Sequence, residues 1–295
     1  MKVLFNKKFL LHNADSNAEG AYRIIEFPEH FEDTDFNGEE YITLVHSENY
    51  KNMIREACMH NDYAAEVFLS PESYAAAISA VGLTVKAAGQ GDFAVVRPPG
   101  HHAGKEKTMG FCIFNNIAIA AQKLINEGKK VFILDIDAHH GNGTQEIFYS
   151  NNKLFYCSIH QSFSFPHTGQ ANEIGIGIGK AYTRNLPLML GSGDKEFLSA
   201  IEKSIEIARK FNPDIVGISA GFDGYYMDRM MNFDYSLKGY YECGFKLGRA
   251  FKNIFAVLEG GYHNDIYSCV TNFVEGINVG SRPIKNRFDY EMSIG

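Results

Sequence analysis

Two carboxylates and an imidazole stand two residues apart in the stretch VFILDIDAHHGNG, residues 131–143. The apolar run Val131–Leu134 predicts a strand that is buried on both faces. Side chains two apart in extended backbone point the same way, so Asp135, Asp137 and His139 share one side at the end of that strand. Because such groups repel one another unless a cation or a hydrogen-bond network holds them, their spacing predicts a metal site.

A third metal ligand is available further along the chain. An Asp-x-Asp at a strand end is also a common helix cap, but Asp223, in Ser-Ala-Gly-Phe-Asp, follows another predicted strand. Asp137, His139 and Asp223 would form an oxygen-rich site that suits zinc with an open position for water, or iron(II) as a softer alternative. Such a metal lowers the pKa of bound water and polarises a carbonyl. Asp135, one step back, is better placed to orient a ligand or a catalytic histidine.

Three further side chains could move protons or stabilise charge. His101 and His102 follow the sequence PPG, in which proline restricts the backbone, and imidazole is the natural acid–base group near neutral pH. Tyr262, in Glu-Gly-Gly-Tyr, could offer its hydroxyl to an oxyanion. Phe111 and Phe165 could form the apolar walls of a narrow substrate pocket. The simpler alternatives are surface histidines, a packing tyrosine and aromatic side chains that cover the core.

The elements that must position these groups follow from hydrophobic patterning. Short β-branched runs alternate with helical stretches, which predicts a parallel sheet covered on both faces. Strands are expected at 2–5, 92–96, 131–134, 154–159, 215–219 and 254–258, and helices at 48–59, 70–85, 115–127, 194–210 and 235–251. Residues 13–37 are polar and predict a surface loop. The polar clusters RPPGHH, DAHHGNG, SAGFD and EGGY each follow a strand, where open α/β sheets bind ligands.

Composition limits the class of protein. The chain has 295 residues, of which 45% are hydrophobic and 21% charged, and it lacks linkers and repeats, so we expect one domain over residues 1–295. The net charge of −7 argues against direct nucleic-acid binding and is compatible with cationic substrates. Five cysteines without a C-x-x-C pair predict reduced thiols and a cytoplasmic location. No apolar run is long enough to predict a membrane span.

A set of motifs in a fixed order resembles the zinc-dependent histone deacetylase and acetylpolyamine amidohydrolase superfamily: RPPGHHA, MGFCIFNNIAIAA, LDIDAHHGNGTQEIFY, SIHQS, GIGIG with NLPL, SAGFD and VLEGGY. The resemblance extends from His46 to Val279. It implies an arginase-like or deacetylase-like three-layer α/β/α fold with a central, mostly parallel sheet of eight strands. It also implies a zinc-dependent deacetylase acting on acetylated lysine side chains, in peptides or proteins, or on related amines such as acetylated polyamines.

The resemblance assigns roles to individual residues. The implied ligands of one zinc ion per chain are Asp137, His139 and Asp223. His102 resembles the general base toward water and the later acid toward the leaving amine, and His101, paired with Asp135, resembles an electrostatic partner. Tyr262 matches the residue that binds the substrate carbonyl and the oxyanion. Asn142 stands where some members carry Asp as the partner of the second histidine. The choice of Asn resembles the class II and bacterial or archaeal branch.

Further resemblances concern the substrate tunnel and a second ion. The tunnel for acyl-lysine is matched by Gly110, Phe111 and Phe165. A structural site for a monovalent cation, taken as potassium, is matched by Asp135, Asp137, His139, Ser158 and Ile159. The family's HPE-P-R near the start is replaced by HNADSNAEGAYR. Met230 falls where polyamine-selective members carry an acidic gatekeeper, which argues against strict polyamine specificity, and Asp62 is the candidate for the contact with the substrate backbone.

Other functions compete with this one. The D-x-H of Asp137 and His139 also suits a metallophosphoesterase, which needs further Asp, Asn and His clusters at strand ends. A two-manganese ureohydrolase needs extra carboxylates close behind Asp223, where a glycine and a tyrosine stand. A non-catalytic binder of acyl-lysine would be expected to lack Tyr262 or a histidine, and all are present. The physiological substrate, the acyl-chain preference and the oligomeric state are left open.

Overall fold

Seven parallel strands form one sheet in the computed structural model, which describes residues 1–283. A two-stranded antiparallel hairpin, β2 and β3, lies apart from it. The strands are β1 (Val3–Phe5), β2 (Tyr63–Ala64), β3 (Val67–Phe68), β4 (Phe93–Val95), β5 (Val131–Asp135), β6 (Leu154–Gln161), β7 (Thr183–Leu188), β8 (Ile215–Ala220) and β9 (Ile254–Leu258). The order in the sheet is β1-β4-β9-β8-β5-β6-β7.

Helices cover both faces of this sheet and give the expected three-layer α/β/α arrangement. They are α1 (Phe27–His30), α2 (Glu48–His60), α3 (Ser73–Gln90), α4 (Asn116–Asn126), α5 (Asn142–Phe148), α6 (Asp194–Phe211), α7 (Leu237–Ala250) and α8 (Ile266–Gly280). On one face α3 packs on β4 and β9, and α4 packs on β5 and β8, while α6 packs on β5, β6 and β7. Every residue of β5 is buried, because helices cover both of its faces.

The number of strands differs from the eight expected. On the outer edge of β1 the chain forms one isolated parallel bridge, between Phe5 and Asp33, and this bridge does not extend into a strand. The segment around Asp33 is acidic and polar, a composition that is poor in strand-forming residues. Within residues 1–283 the sheet therefore ends at β1 on this side, and the strand count is corrected to seven.

Residues 13–37 were expected to be a surface loop, and that prediction is wrong. The segment contains a turn of 3₁₀-helix at Ala21–Ile24 and the short helix α1. Phe27 is fully buried, and so are the side chains of Glu19 and Arg23. Polarity predicts exposure only when a charged group lacks a partner, and here Glu19 and Arg23 pair with each other at 2.9 Å.

Two observations concern the chain as a whole. Among the described residues, no helix combines the length and the apolar character needed to cross a membrane. All five cysteines are buried and free, as their sequence spacing predicted: Cys58, Cys112, Cys157, Cys243 and Cys269.

Candidate metal centre and active site

The polar clusters that follow the strands meet at one edge of the sheet. Strands β4, β9, β8 and β5 are consecutive neighbours and run parallel, so their carboxyl ends lie side by side. The register pairs Asp135 of β5 with Ser219 of β8. The chain segments RPPGHH, DAHHGNG, SAGFD and EGGY leave the sheet from these four strands. The predicted convergence at the carboxyl edge is confirmed.

Asp137, His139 and Asp223 lie together at this edge. Nδ1 of His139 is 2.6 Å from Oδ2 of Asp223 and 3.2 Å from Oδ1 of Asp137. One potential ligand atom from each residue lies within 4.8 Å of the other two, and all three residues are buried. Burial, together with the charge of Asp137, raises the pKa of Asp223 to about 7. Two buried carboxylates this close repel unless a cation neutralises them, so the donor set fits a divalent metal ion.

Backbone amides fix the orientation of both carboxylates. The Gly260 amide donates to Oδ2 of Asp137 at 2.7 Å, and the Ala138 amide donates to Oδ1 of Asp223 at 2.7 Å. Gly260 is required at its position, since a Cβ there would lie 2.6 Å from Oδ2 of Asp137. The oxygen Oδ2 of Asp223 is left facing His139. The loops after β5, β8 and β9 therefore hold the three side chains in place before any ion binds.

The two histidines of the PPGHH segment have different partners. Nδ1 of His101 lies 3.1 Å from Oδ2 of Asp135, which also accepts a hydrogen bond from the Tyr156 hydroxyl at 3.0 Å. Burial alone would lower the pKa of His101, but the charges of Asp137 and Asp135 outweigh it and raise that pKa to about 10. The carboxylates around His101 therefore favour its protonated form.

His102 is the uncharged member of the pair. Its Nδ1 lies 2.7 Å from Oδ1 of Asn142, a neutral acceptor. Burial and the neighbouring His101 and His139 lower the pKa of His102 well below its usual value. Since Oδ1 of Asn142 accepts a hydrogen bond from Nδ1–H, the other ring nitrogen of neutral His102 has no hydrogen and can accept a proton.

A cavity of about 390 Å³ opens above these groups. Its lining includes His102, His139 and Tyr262 together with the predicted tunnel residues Gly110, Phe111 and Phe165. Gly110 has φ of 53°, and a Cβ there would lie 2.6 Å from Cδ2 of His102, so only glycine fits. The ring of Phe165 lies 5.3 Å from the ring of His102. Aromatic side chains and a glycine thus line an apolar passage to the candidate metal ligands.

The candidate rim residue Asp62 does not line this cavity, and Glu66 does. Asp62 accepts a hydrogen bond from the adjacent Tyr63 amide. Glu66 lies in the turn between β2 and β3, and its Oε1 accepts a hydrogen bond from the Gly110 amide at 2.9 Å. The sequence signal for Glu66 was weak, because strands of two residues leave almost no alternation to detect.

Tyr262 rests on a buried ion cluster that sequence analysis missed. The Arg23 guanidinium lies 5.0 Å from the centre of the Tyr262 ring and donates hydrogen bonds to the carbonyls of Gly261 and Glu259, both at 2.5 Å. Glu19 accepts from Arg23 at 2.9 Å, and Arg97 donates to both Glu19 oxygens at 2.6 and 2.7 Å. The spacing of Glu19 and Arg23, one helical turn apart, was the available signal.

The residues predicted to hold a monovalent cation lie close to the same edge. Asp135 and Ser158 are register partners on β5 and β6, and Ile159 is the next residue of β6. Oδ1 of Asp135 accepts a hydrogen bond from the Asp137 amide at 3.2 Å. The hydroxyl of Ser158 lies 2.8 Å from Nδ1 of His160. The structure brings these residues together without indicating an ion.

Comparison with known proteins gives consistent matches. The model of the histone deacetylase domain family matches residues 14–277. Histone deacetylase 14, chloroplastic, of Arabidopsis thaliana is 38% identical over 206 residues, which are 67% of this chain and 48% of that protein. The acetylpolyamine amidohydrolase of Mycoplana ramosa is 36% identical over 72% of this chain and 66% of its own length. The crystal structure of the HDA15 HD domain superimposes with a TM-score of 0.88 at 31% identity, covering 99% of this chain and 92% of that one.

This chain spans about half the length of the Arabidopsis relative, 48%.

Proposed function

The chain belongs to the histone deacetylase domain family, and from this membership we propose that it is a zinc-dependent amidohydrolase that removes acetyl groups from acetylated lysine side chains or related amines. The observation that carries the proposal is the placement of Asp137, His139 and Asp223 in the same cavity region as His102 and Tyr262. Hydrolysis of an amide needs an activated water, a group that moves protons and a group that stabilises the oxyanion. This arrangement supplies a residue for each need.

Zinc fits the donor set better than the alternatives. Two carboxylates and one imidazole leave an open coordination position, which is typical of catalytic zinc, while iron(II) remains a second choice. A zinc ion held by Asp137, His139 and Asp223 would lower the pKa of a water molecule and polarise the amide carbonyl. A two-metal hydrolase would need a second site. The other close group, His101, Cys112 and Glu259, is a poor one, because Glu259 already accepts hydrogen bonds from the Gly100 and His101 amides.

His102 acts as the general base and then as the general acid. Its Nδ1 is engaged by Asn142, so its other ring nitrogen accepts a proton from the attacking water and returns it to the leaving amine nitrogen. His101 stays positively charged beside Asp135 and stabilises the negative charge that develops nearby. The Tyr262 hydroxyl donates to the substrate oxygen. Gly110, Phe111 and Phe165 exclude water around the acyl-lysine stem.

Removal of the base tests the proposal. His102→Ala should abolish turnover of an acetyl-lysine reporter while the purified variant keeps the metal content of the wild type. Undiminished activity in this variant would refute the role of His102. A non-catalytic binder would instead hold an acetyl-lysine peptide unchanged for hours.

A polyamine substrate is the second candidate, and Glu66 is the observation that favours it. The carboxylate of Glu66 lines the cavity and could bind a distal ammonium group. Met230 lines the same cavity and offers no charge. The two substrate classes can be distinguished by parallel assays on the wild type and on Glu66→Gln. Each protein is given acetyl-lysine peptides and N-acetylated polyamines. A polyamine deacetylase would lose polyamine turnover selectively in Glu66→Gln.

We also propose a structural potassium ion held by Asp135, Asp137, His139, Ser158 and Ile159. The pairing of Asp135 with Ser158 across β5 and β6 supports this proposal. Replacing potassium by tetramethylammonium at constant ionic strength should lower the melting temperature, and unchanged melting would contradict the ion. We further propose that residues 1–295 form one catalytic domain, which the single apolar core of the described part supports; residues 284–295 lie outside the described part. We propose a cytoplasmic location on the strength of the five free cysteines.

A further inference from the structure

Exposed apolar side chains are concentrated on the loops at the carboxyl edge of the sheet. Nine of the fourteen large apolar side chains that are exposed in the described part of the chain lie on the loops that follow β6, β7 and β8. Six of them, which we call the apolar rim, are Phe163, Met189, Leu190, Tyr226, Met227 and Met230. Clusters of this kind on a soluble protein commonly mark binding surfaces.

Hydrogen bonds join the three loops into one surface. The Ser162 amide donates to the Leu188 carbonyl at 2.8 Å, and this links the loops after β6 and β7. The Gly191 amide donates to the Asn232 carbonyl at 2.6 Å, which links the loops after β7 and β8. The Asn232 amide in turn donates to Oε1 of Gln161 at 2.8 Å. The apolar rim is therefore carried by loops that are tied to each other and to the strand ends.

The apolar rim is continuous with the proposed active site. Met230 belongs to the rim and also lines the cavity, next to Phe165 and Met231. Glu66 lines the same cavity from the β2–β3 hairpin. A substrate that enters the cavity therefore lies against methionine and aromatic side chains on the rim side.

Folding does not account for Phe163. Its side chain is 85% exposed, so it contributes almost no buried apolar surface. Its backbone has φ of 60°, in the left-handed region that a bulky residue adopts at a cost. Asparagine or glycine would suit this position better. A costly, exposed phenylalanine beside a cavity mouth is best explained by contact with a ligand.

We propose that the apolar rim binds apolar side chains that flank the acetyl-lysine in a polypeptide substrate. This inference rests on the proposed amidohydrolase function and narrows its substrate class to polypeptides with apolar residues next to the lysine. A polyamine carries several ammonium groups, and any of these that lay against the rim methionines, away from the Glu66 carboxylate, would lose hydration without a paired charge. Methionine adapts its shape to different partners, so the rim selects apolar character and tolerates variation in the exact residue.

Peptide pairs test this proposal. One acetyl-lysine peptide carries leucine and phenylalanine on both sides of the lysine, the other carries serine and glutamine at the same net charge, and a blocked acetyl-lysine without flanking residues is the minimal reporter. We expect a KM roughly three- to tenfold lower for the apolar peptide, because its side chains leave water on binding. Phe163→Asn and Leu190→Gln should remove this advantage and leave turnover of the minimal reporter unchanged. Ile178→Gln is the matched control, since Ile178 is 71% exposed outside the rim.

Two results would overturn the proposal. The first is an equal KM for the two peptides on the wild type, and the second is an unchanged KM for the apolar peptide in both rim variants. If Leu190→Gln converted a dimer into a monomer without a change in KM, the rim would be an interface between copies of this chain instead.

Binding separates this proposal from the proposed function. Fluorescence anisotropy with the labelled apolar peptide on His102→Ala needs no turnover. If the wild type cleaved none of the substrates, the amidohydrolase function would fail. The rim would then be judged by anisotropy alone: weaker binding after Phe163→Asn supports it, and equal binding refutes it.

Discussion

Nδ1 of His102 lies 2.7 Å from the side-chain oxygen of Asn142. This single contact decides which ring nitrogen of the proposed base carries the proton. Burial and the neighbouring His101 and His139 lower the pKa of His102 well below its usual value, and the hydrogen bond to the neutral Asn142 does not offset them. The neighbouring His101 faces Asp135 instead and has a raised pKa. The pKa values of two adjacent histidines thus shift in opposite directions because their surroundings differ.

Asn142→Asp should shift the pH dependence of catalysis. A carboxylate at this position would stabilise the protonated form of His102 and raise its pKa, so that the base stays protonated up to a higher pH. We expect the acid limb of the kcat/KM profile to move upward by about one pH unit. The control is Asn126→Asp at the exposed end of α4, which adds the same charge away from the site and should not move the limb. An unshifted limb in Asn142→Asp would argue against His102 as the titrating base.

Removal of the metal should be reversible and stoichiometric. Dialysis against a chelator should abolish hydrolysis, and one equivalent of zinc per chain should restore it, because the proposed ligands Asp137, His139 and Asp223 would hold one ion. Asp223→Asn should lower activity by about a thousandfold or more, since it removes a charged ligand. Metal content is measured by mass spectrometry. Asp62→Asn is the control and should retain the ion, and two bound ions per chain would favour another class of hydrolase.

Glu19 should stabilise the fold in a pH-dependent way. Burial would raise the pKa of Glu19, but the charges of Arg97 and Arg23 outweigh it and lower that pKa from 4.5 to about 2. A lowered pKa in the folded state stabilises the protein above the unfolded value near 4.5, and this contribution is lost as the pH falls toward 2. Glu19→Gln should cost about 3–5 kcal/mol at pH 7, because it leaves two buried guanidinium groups without a counter-charge.

Urea denaturation at several pH values measures this effect. The difference in unfolding free energy between the wild type and Glu19→Gln should narrow below pH 4. The matched control is Glu26→Gln, an exposed glutamate of the same segment, which should change stability by less than about 0.5 kcal/mol. If the difference in unfolding free energy did not change with pH, Glu19 would stabilise the fold through packing and not through its charge.

Glu259 should act as a positioning residue for the histidine pair. Its Oε2 accepts from the Gly100 and His101 amides at 2.7 and 3.1 Å, and its Oε1 accepts from the Ser219 hydroxyl at 3.1 Å. Glu259→Gln can keep all three contacts if its amide faces Ser219, whose hydroxyl also accepts. Glu259→Ala leaves two buried amides unpaired, at about 1–3 kcal/mol each. We expect Glu259→Ala to lower kcat about tenfold or more while KM and the metal content stay unchanged. Glu259→Gln should keep kcat close to that of the wild type. An equal loss of kcat in Glu259→Ala and Glu259→Gln would contradict the positioning role.

Sequence patterns predicted the central strands of this fold, and they missed the edge strand β7 and the helix α8. The apolar runs of β5 and β9 were predicted almost to the residue, because a strand buried on both faces needs continuous apolar sequence. Strand β7 was missed, since TRNLPL carries Arg and Pro, which an edge strand tolerates. Helix α8 was missed because its glycines are poor helix formers. Gly276 and Gly280 serve close packing, and a Cβ at either would lie about 2 Å from α7 backbone oxygens.

Candidate residues next to a strand end were easy to find, and those held by distant partners were not. Asp137 and His139 follow β5 directly, so local spacing revealed them. Glu19 and Arg23 are brought to Tyr262 only by contacts across more than 230 residues of chain, such as the one from Arg23 to Gly261. No local pattern encodes a contact of that range. The motif HNADSNAEGAYR was noticed only for its departure from the family, although it contains both residues.

The contact between Arg23 and the carbonyls beside Tyr262 limits how this protein can be shortened. A fragment that starts after α1 would retain every proposed zinc ligand and both histidines. It would nevertheless lack the Arg23 guanidinium, which lies 5.0 Å from the centre of the Tyr262 ring and donates hydrogen bonds to the carbonyls of Gly261 and Glu259. Such a fragment would keep the candidate metal site and lose the side chain that supports the proposed oxyanion donor.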